Sequence, residues 1–186
     1  MDFPLYNETY NYFSDQIPLN GNVLDLGCGP GNITNYLFRK RNDLNISGID
    51  ISDKMIILAK KNNPECIFNV SDLRHFKTQH EYLNGIIMGF CLPYIPFIDI
   101  KNLFPKLFDS LKNGGILYLS IVEGNPNDSG IKIGKDGREL YFFYHSITDI
   151  SQLLLMNNLK IQKIFNIDYQ NNDQSFDNHV VIISKK

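Results

Sequence analysis

Val23-Leu24-Asp25-Leu26-Gly27-Cys28-Gly29-Pro30-Gly31-Asn32 opens as a short apolar strand and runs at once into glycines at 27, 29 and 31. Glycine permits a tight turn and lets a ligand approach the backbone with no side chain in the way. Ile33 to Arg41 follows with helical spacing, Tyr36 and Leu37 on its apolar side, so the stretch is a strand, a turn and a helix. That unit marks a nucleotide-type pocket without naming its occupant. The dinucleotide fingerprint G-x-G-x-x-G requires glycine at position 32, where this chain has Asn32, which weakens a pyrophosphate reading.

The same theme repeats downstream. Asn45 to Asp50 is a second strand, Ser52 caps a helix carrying Met55, Ile56 and Ala59, and Cys66 to Val70 is a third strand. Gly85 to Gly89 reads as a fully buried strand, Ile100 to Leu111 as an amphipathic helix, Asn113-Gly114-Gly115 as its stop, and Ile116 to Val122 as a fifth strand. Strands alternating with helices imply a parallel sheet covered on both faces, and right-handed crossovers make it doubly wound. Upstream, Tyr6, Tyr10, Phe13 and Ile17 share one face of a helix from about Leu5 to Ile17.

Beyond the fifth strand the pattern changes. Glu123 to Arg138 contains four glycines and no helical period, and reads as a loop with a small hairpin around Lys135-Asp136-Gly137. Ser146 to Asp149 resembles a capping box opening a helix through Leu153, Leu154 and Met156. Lys160 to Tyr169 and His179 to Ser184 are the last strands, and the turn-rich Asn171-Asn172-Asp173-Gln174 between them favours an antiparallel hairpin.

At 186 residues the chain reads as a single domain, 1–186. A net charge of −2 offers no footprint for a polyanion, and the densest basic run, Arg39-Lys40-Arg41, suits a helix end. Cys28, Cys66 and Cys91 are widely spaced with no C-x-x-C pair, so neither a disulfide framework nor a metal site is expected. The start, Met1-Asp2-Phe3-Pro4, lacks signal-peptide features and the longest apolar stretch is broken by Pro93, Pro96 and Asp99. A cytoplasmic protein with no membrane or nucleic-acid partner is the expectation.

Asp50 lies at the end of the second strand, where a carboxylate accepts hydrogen bonds from a ribose diol. Ser71-Asp72-Leu73 follows the third strand, where an acid can accept from an adenine amino group. With Asp25 ahead of the glycines, the set suits an adenosine carrying a charged amino-acid tail. The run Val23 to Asn32, then Gly48-Ile49-Asp50-Ile51-Ser52, then Leu111 to Leu117 together resemble the successive motifs of class I S-adenosylmethionine-dependent methyltransferases.

The resemblance implies a Rossmann-like α/β fold, a doubly wound seven-stranded sheet that is mostly parallel with one antiparallel strand near the C-terminus. It implies S-adenosyl-L-methionine as cofactor. Gly27, Gly29 and Gly31 would contact the methionine portion, Asp50 the ribose, Ile51 and Met55 the adenine faces, Asp72 and Leu73 its edge, and Gly89 and Phe90 the sulfonium. Asp25, Cys28, Asn32 and Ser71 complete the implied cofactor set. The chain departs from many relatives in having Gly85 at the start of the fourth strand in place of an acid, and Pro93 and Tyr94 in place of histidines.

Methyl transfer from a sulfonium is an in-line displacement, so alignment and exclusion of water come first, and a base is needed only for a protonated acceptor. The stretch Tyr141-Phe142-Phe143-Tyr144-His145 resembles a segment of small-molecule methyltransferases, which makes His145 the candidate base and Tyr12, Tyr94, Tyr144 and His145 the candidate substrate pocket. Residues 1–20 are expected as a helical lid and 123–140 as an active-site flap. His75, His80 and His179 read as surface residues. A cofactor binder without turnover, a nucleic-acid methyltransferase suggested by Leu92-Pro93-Tyr94, and a nicotinamide oxidoreductase remain the alternatives to methyl transfer onto a small molecule.

Overall fold

The computed structural model describes residues 4–77, 79–134, 137–171 and 174–186. A 3-10 turn, Pro4–Tyr6, leads into helix α1, Asn7–Ser14, followed by strand β1, Asn22–Leu26, helix α2, Asn32–Lys40, strand β2, Asn45–Asp50, helix α3, Asp53–Asn62, and strand β3, Ile67–Val70. Strand β4, Leu83–Met88, helix α4, Phe97–Ser110, and strand β5, Leu111–Val122, come next. A ribbon of β6, Gly130–Ile133, and β7, Glu139–Phe142, precedes helix α5, Ile147–Met156, and strands β8, Lys160–Gln170, and β9, Phe176–Lys185.

Seven strands form one sheet of order β3-β2-β1-β4-β5-β9-β8. β1 runs parallel to β2 and β4, and β4 to β5, whereas β9 is antiparallel to both β5 and β8. The expected mostly parallel sheet with one reversed strand is therefore present. The direction of winding changes between β1 and β4, and the carboxyl ends of strands flanking such a switch are where doubly wound sheets hold ligands.

The sheet is covered on both faces. Tyr6, Tyr10 and Phe13 of the N-terminal segment and Ile33 and Leu37 of α2 pack with Val23, Ile87, Tyr118, Val181 and Ile183. On the other face Ile100, Leu103, Phe104 and Leu107 of α4 and Ile150, Leu153 and Leu154 of α5 meet Leu24, Ile86, Leu117 and Leu119. Neighbouring strand residues point to opposite faces, which is why a continuous apolar run such as Ile116–Leu119 serves both layers.

The caps follow the sequence. Ser52 Oγ accepts from Met55 N at 3.4 Å, with Asp53 in the first turn of α3 and Lys60 and Lys61 in its last. Ser146 Oγ accepts from Thr148 N and Asp149 N at 3.1 and 3.4 Å. The departure at Gly85 has a packing cause: a Cβ there would lie 2.6 Å from Phe13 Cζ and 2.8 Å from Ile17 Cδ1, so α1 occupies the space a side chain would take.

Several expectations need correction. The first helix stops at Ser14 instead of Ile17, because the chain tightens into i+3 bonds, Gln16 N to Phe13 O and Ile17 N to Ser14 O, ahead of Pro18. Asn113-Gly114-Gly115 is no helix stop. α4 ends at Ser110, and these residues are an irregularity within β5 where the pairing with β4 shifts register, Gly114 adopting a φ of 80°. By contrast, the small hairpin expected in the stretch after Glu123 has both its arms in place, β6 and β7, with Ile131 and Ile133 pairing with Tyr141 and Glu139. The turn expected at Lys135-Asp136 lies outside the described residues, as do Asn172-Asp173 between β8 and β9 and Met1-Asp2-Phe3 at the start.

His179 is not a surface residue. Alternation along β9 places it on the α1 face with Val181 and Ile183, where it is buried, bonded through Nδ1 to the Tyr6 hydroxyl and stacked on Tyr169 at 4.7 Å. Among the described residues no helix is long and apolar enough to cross a membrane, and no cluster of His, Cys, Asp and Glu has the spacing of a metal site.

Candidate active site

The carboxyl ends of β1 to β4 open into a cleft of about 640 Å³, within the size range of small-ligand and cofactor sites. Its floor is the β1–α2 turn. Gly27, Gly29 and Gly31 have φ of 72°, 53° and 79°, the left-handed region that disfavours any side chain. Gly27 N and Cys28 N both donate to Ile49 O, at 2.8 and 3.0 Å, which folds the turn back against β2.

The three glycines do different work. A Cβ on Gly27 would meet Cys91 Cβ at 2.6 Å, so the turn is pressed against the segment after β4. A Cβ on Gly29 would meet no protein atom within 4 Å and would project into the cleft that Gly29 lines. A Cβ on Gly31 would lie 2.5 Å from Asn63 Nδ2, which itself donates to Gly31 O at 3.1 Å. Gly31 is thus a packing and capping residue of α2 against α3, outside the cleft lining, and its expected cofactor contact is corrected.

Asp50 ties the turn to the next element. Its Oδ2 accepts from Gly29 N and its Oδ1 from Ser52 N, both at 2.9 Å. Each oxygen keeps a further lone pair for a hydroxyl donor, which is what a ribose diol requires. Ile51 and Met55 stand beside it as apolar walls, and Ser71, Asp72 and Leu73 close the far end. Cys28, Asn32, Gly89 and Phe90 also line the cleft.

Asp25 does not line it. The side chain is 1% exposed, its Oδ2 accepts from Thr34 Oγ1 at 2.8 Å, and its Oδ1 has no hydrogen-bond partner among the described residues. It braces the first turn of α2 from beneath, so a direct cofactor contact is corrected to loop shaping. Burial, resisted by the Thr34 hydroxyl and reinforced by Asp50, pushes its carboxyl up to about 7. Burial also raises the Cys28 and Cys91 thiols, consistent with packing roles and inert sulfur.

Asp72 is held by a neighbour that the sequence reading did not include. Arg74 Nε lies 3.0 and 2.9 Å from its two oxygens and Arg74 Nη1 reaches Asp99 at 3.4 Å, so hydrogen bonds from the guanidinium lower the Asp72 carboxyl below its ordinary range. Arg74 itself lines the cleft, as do Ile95 and Pro96 after β4 and Arg138 and Leu140 at the start of β7. The signal for the last pair was period-two alternation within 138–142, which directs Arg138, Leu140 and Phe142 to one side.

The candidate substrate residues divide. Tyr94 lines the cleft. Tyr12 packs edge-on to Phe165 at 5.7 Å on the α1 face, Tyr144 lies under Gly124, with its ring carbon 2.6 Å from the site of a Cβ there, and His145 is 2% exposed with Nε2 bonded to Leu92 O at 2.9 Å. None of the three lines the cleft. Burial lowers the His145 pKa, backbone contacts at Leu92 and Ile95 partly opposing it, so the ring is a neutral strut that ties the start of α5 to the turn after β4. The base expected at His145 and the pocket roles of Tyr12 and Tyr144 are corrected on these grounds. Tyr6 and Tyr10, expected as part of a lid, are core residues.

The cleft fits an adenosyl cofactor with an amino-acid tail: an open glycine cradle at Gly29, a carboxylate at the ribose position, apolar flanks, and the N-terminus of α2, whose cap Gly31 makes no side-chain cap bond. A family model described as methyltransferase domain matches residues 23–115. The chain is 29% identical to a putative methyltransferase of Invertebrate iridescent virus 6, over 90% of this chain and 69% of that protein. It is 32% identical to a trans-aconitate 2-methyltransferase of Variovorax paradoxus over 58% of this chain, and that match spans only 40% of the relative. An S-adenosylmethionine-dependent methyltransferase from Methanosarcina mazei superposes with a TM-score of 0.80 at 18% identity, covering 92% of this chain and 95% of that one.

Proposed function

The chain belongs to the methyltransferase domain family of class I S-adenosylmethionine-dependent enzymes, and on that premise we propose that it methylates a small molecule whose acceptor atom arrives deprotonated, a carboxylate oxygen fitting best. The observation that carries this reading is the make-up of the cleft beyond the cofactor residues. Tyr94, Ile95, Pro96 and Leu140 give it apolar walls, Arg138 gives it a cation, and among the described lining residues there is no histidine and the Asp72 carboxylate is engaged by Arg74.

When bound, S-adenosylmethionine supplies an activated methyl group whose C–S electron pair leaves with sulfur as the acceptor forms its new bond to carbon. The chain's part is orientation and exclusion of water. Gly27, Gly29 and the α2 N-terminus hold the amino-acid end, Asp50 the ribose, and Ile51 and Met55 the adenine. Gly89 and Phe90 wall the reacting end, Tyr94 and Leu140 cover the acceptor, and Arg138 orients its negative charge. No residue has to remove a proton from an acceptor that is already ionised. The trans-aconitate relative, named for a carboxylate acceptor, supports the same class.

Turnover of small carboxylates, phenols and amines with methyl-labelled cofactor tests this. Label is expected in a carboxylate acceptor, and Arg138→Ala is expected to raise the acceptor KM about tenfold, the cost of one charge-assisted bond. Transfer confined to amines or phenols contradicts the acceptor class. Cofactor binding without any transfer favours the alternative of a binder without turnover.

A further inference from the structure

Among the described residues, Phe90 is the one cleft-lining residue with a Cβ whose φ is positive, 60°. Left-handed backbone is unfavourable for an aromatic residue and persists only where the surroundings hold it. The holding contact is visible: Phe90 N donates to Ser120 Oγ at 2.7 Å. Ser120 is 2% exposed near the carboxyl end of β5, opposite Val181 of β9, where the flanking residues are apolar. β4 and β5 pair in register through Met88 and Leu119, so Ser120 lies one residue past the last paired position. Its hydroxyl therefore replaces the backbone acceptor that Phe90 N would lose as the chain leaves the sheet.

The consequence reaches the cleft. The Gly89–Phe90 peptide is trans, so fixing the N–H toward Ser120 aims the Gly89 carbonyl the opposite way. A Cβ on Gly89 would run into Ile33 Cδ1, so the peptide is also confined from the α2 side. The Phe90 ring meets Tyr6 edge-on at 4.8 Å, which fixes its direction on the α1 side.

We propose that Ser120 is a positioning residue of the methyl-transfer site, its buried hydroxyl locking the strained Gly89–Phe90 peptide that forms the cleft wall at the reacting end. The inference rests on the cofactor reading above. Ser120 touches neither cofactor nor acceptor; it acts through Phe90.

Calorimetric titration with S-adenosylhomocysteine at a temperature where each variant is folded tests it, alongside kcat and KM once an acceptor is in hand. Ser120→Ala is expected to weaken affinity about tenfold, and Ser120→Thr, which keeps the acceptor oxygen, to restore it to within about threefold. In a Phe90→Gly background, where left-handed backbone is unstrained, adding Ser120→Ala is expected to change affinity less than about twofold. If Ser120→Ala does not fold, Ser120→Cys, which fills the space with a weak acceptor, takes its place. A folded variant that binds like the parent, or an equal loss in the Phe90→Gly background, overturns the proposal. Failure of the parent protein itself to bind overturns the cofactor reading instead, and the proposal with it.

Discussion

Asp25 shows how a single residue in a recognisable motif is used for something other than ligand contact. Its carboxyl is buried and its folded-state pKa is about 7, against an ordinary value near 4. The native state therefore holds this proton more tightly than the unfolded state, so the contribution is full below about pH 4, falls as pH rises, and is gone above about 7. The size is on the order of 4 kcal/mol at most. His145 and His179 work in the opposite direction, because burial depresses both, so their contribution is full above the ordinary histidine value and is lost as pH falls. Asp25→Asn separates the two. Denaturant unfolding between pH 4.5 and 8, in steps of about half a unit, is expected to give a stability difference between variant and parent that grows in the variant's favour as pH rises. A constant difference across that range contradicts the buried-acid account. The histidines also mark the limit of what one residue discloses. His145 is anchored to a carbonyl 53 residues away, a contact no local pattern signals, whereas the burial of His179 was legible in the alternation with Val181 and Ile183 along β9.

The β1–α2 turn is the element that carries the account, and its glycines separate binding from stability. Gly29 faces open cleft and Gly31 faces Asn63 and Ala59. Gly29→Ala is expected to lower cofactor affinity by a hundredfold or more, with a stability loss of about 1–2 kcal/mol from the left-handed backbone alone. Gly31→Ala carries the same backbone cost plus a clash, and is expected to lose about 2–4 kcal/mol of stability with a smaller change in affinity per folded molecule. Thermal unfolding together with ligand titration distinguishes them, and identical profiles contradict the division of roles. The motif spacing made the turn, Asp50 and the third-strand acid legible, because each sits at a fixed distance from a strand end. It did not separate the ligand-facing glycine from the packing one, since that depends on α3, some thirty residues further on. The acceptor side was legible only at Tyr94. Arg138 and Leu140 reach the cleft because β6 and β7 pair and because Phe143 N bonds Pro93 O at 2.7 Å, contacts between segments far apart in sequence.

At the scale of the whole molecule the sheet order explains why these pieces converge. The reversal between β1 and β4 leaves a crevice at their carboxyl ends, and the glycine turn, Asp50, Asp72 and Phe90 all project from strands ending there. Helices on both faces hold those ends rigidly, α1 at the cost of any side chain at position 85. The alternation of strand and helix made this architecture readable from the sequence, down to the reversed strand near the C-terminus, which the hairpin pattern of 160–184 announced. The most direct test of the central claim is calorimetric titration of the full chain with S-adenosylmethionine, S-adenosylhomocysteine and NAD. Saturable binding of the first two with micromolar affinity, lost in Gly29→Ala, and no measurable binding of NAD is the predicted result. Tight NAD binding, or no affinity for either adenosyl ligand, would contradict the account.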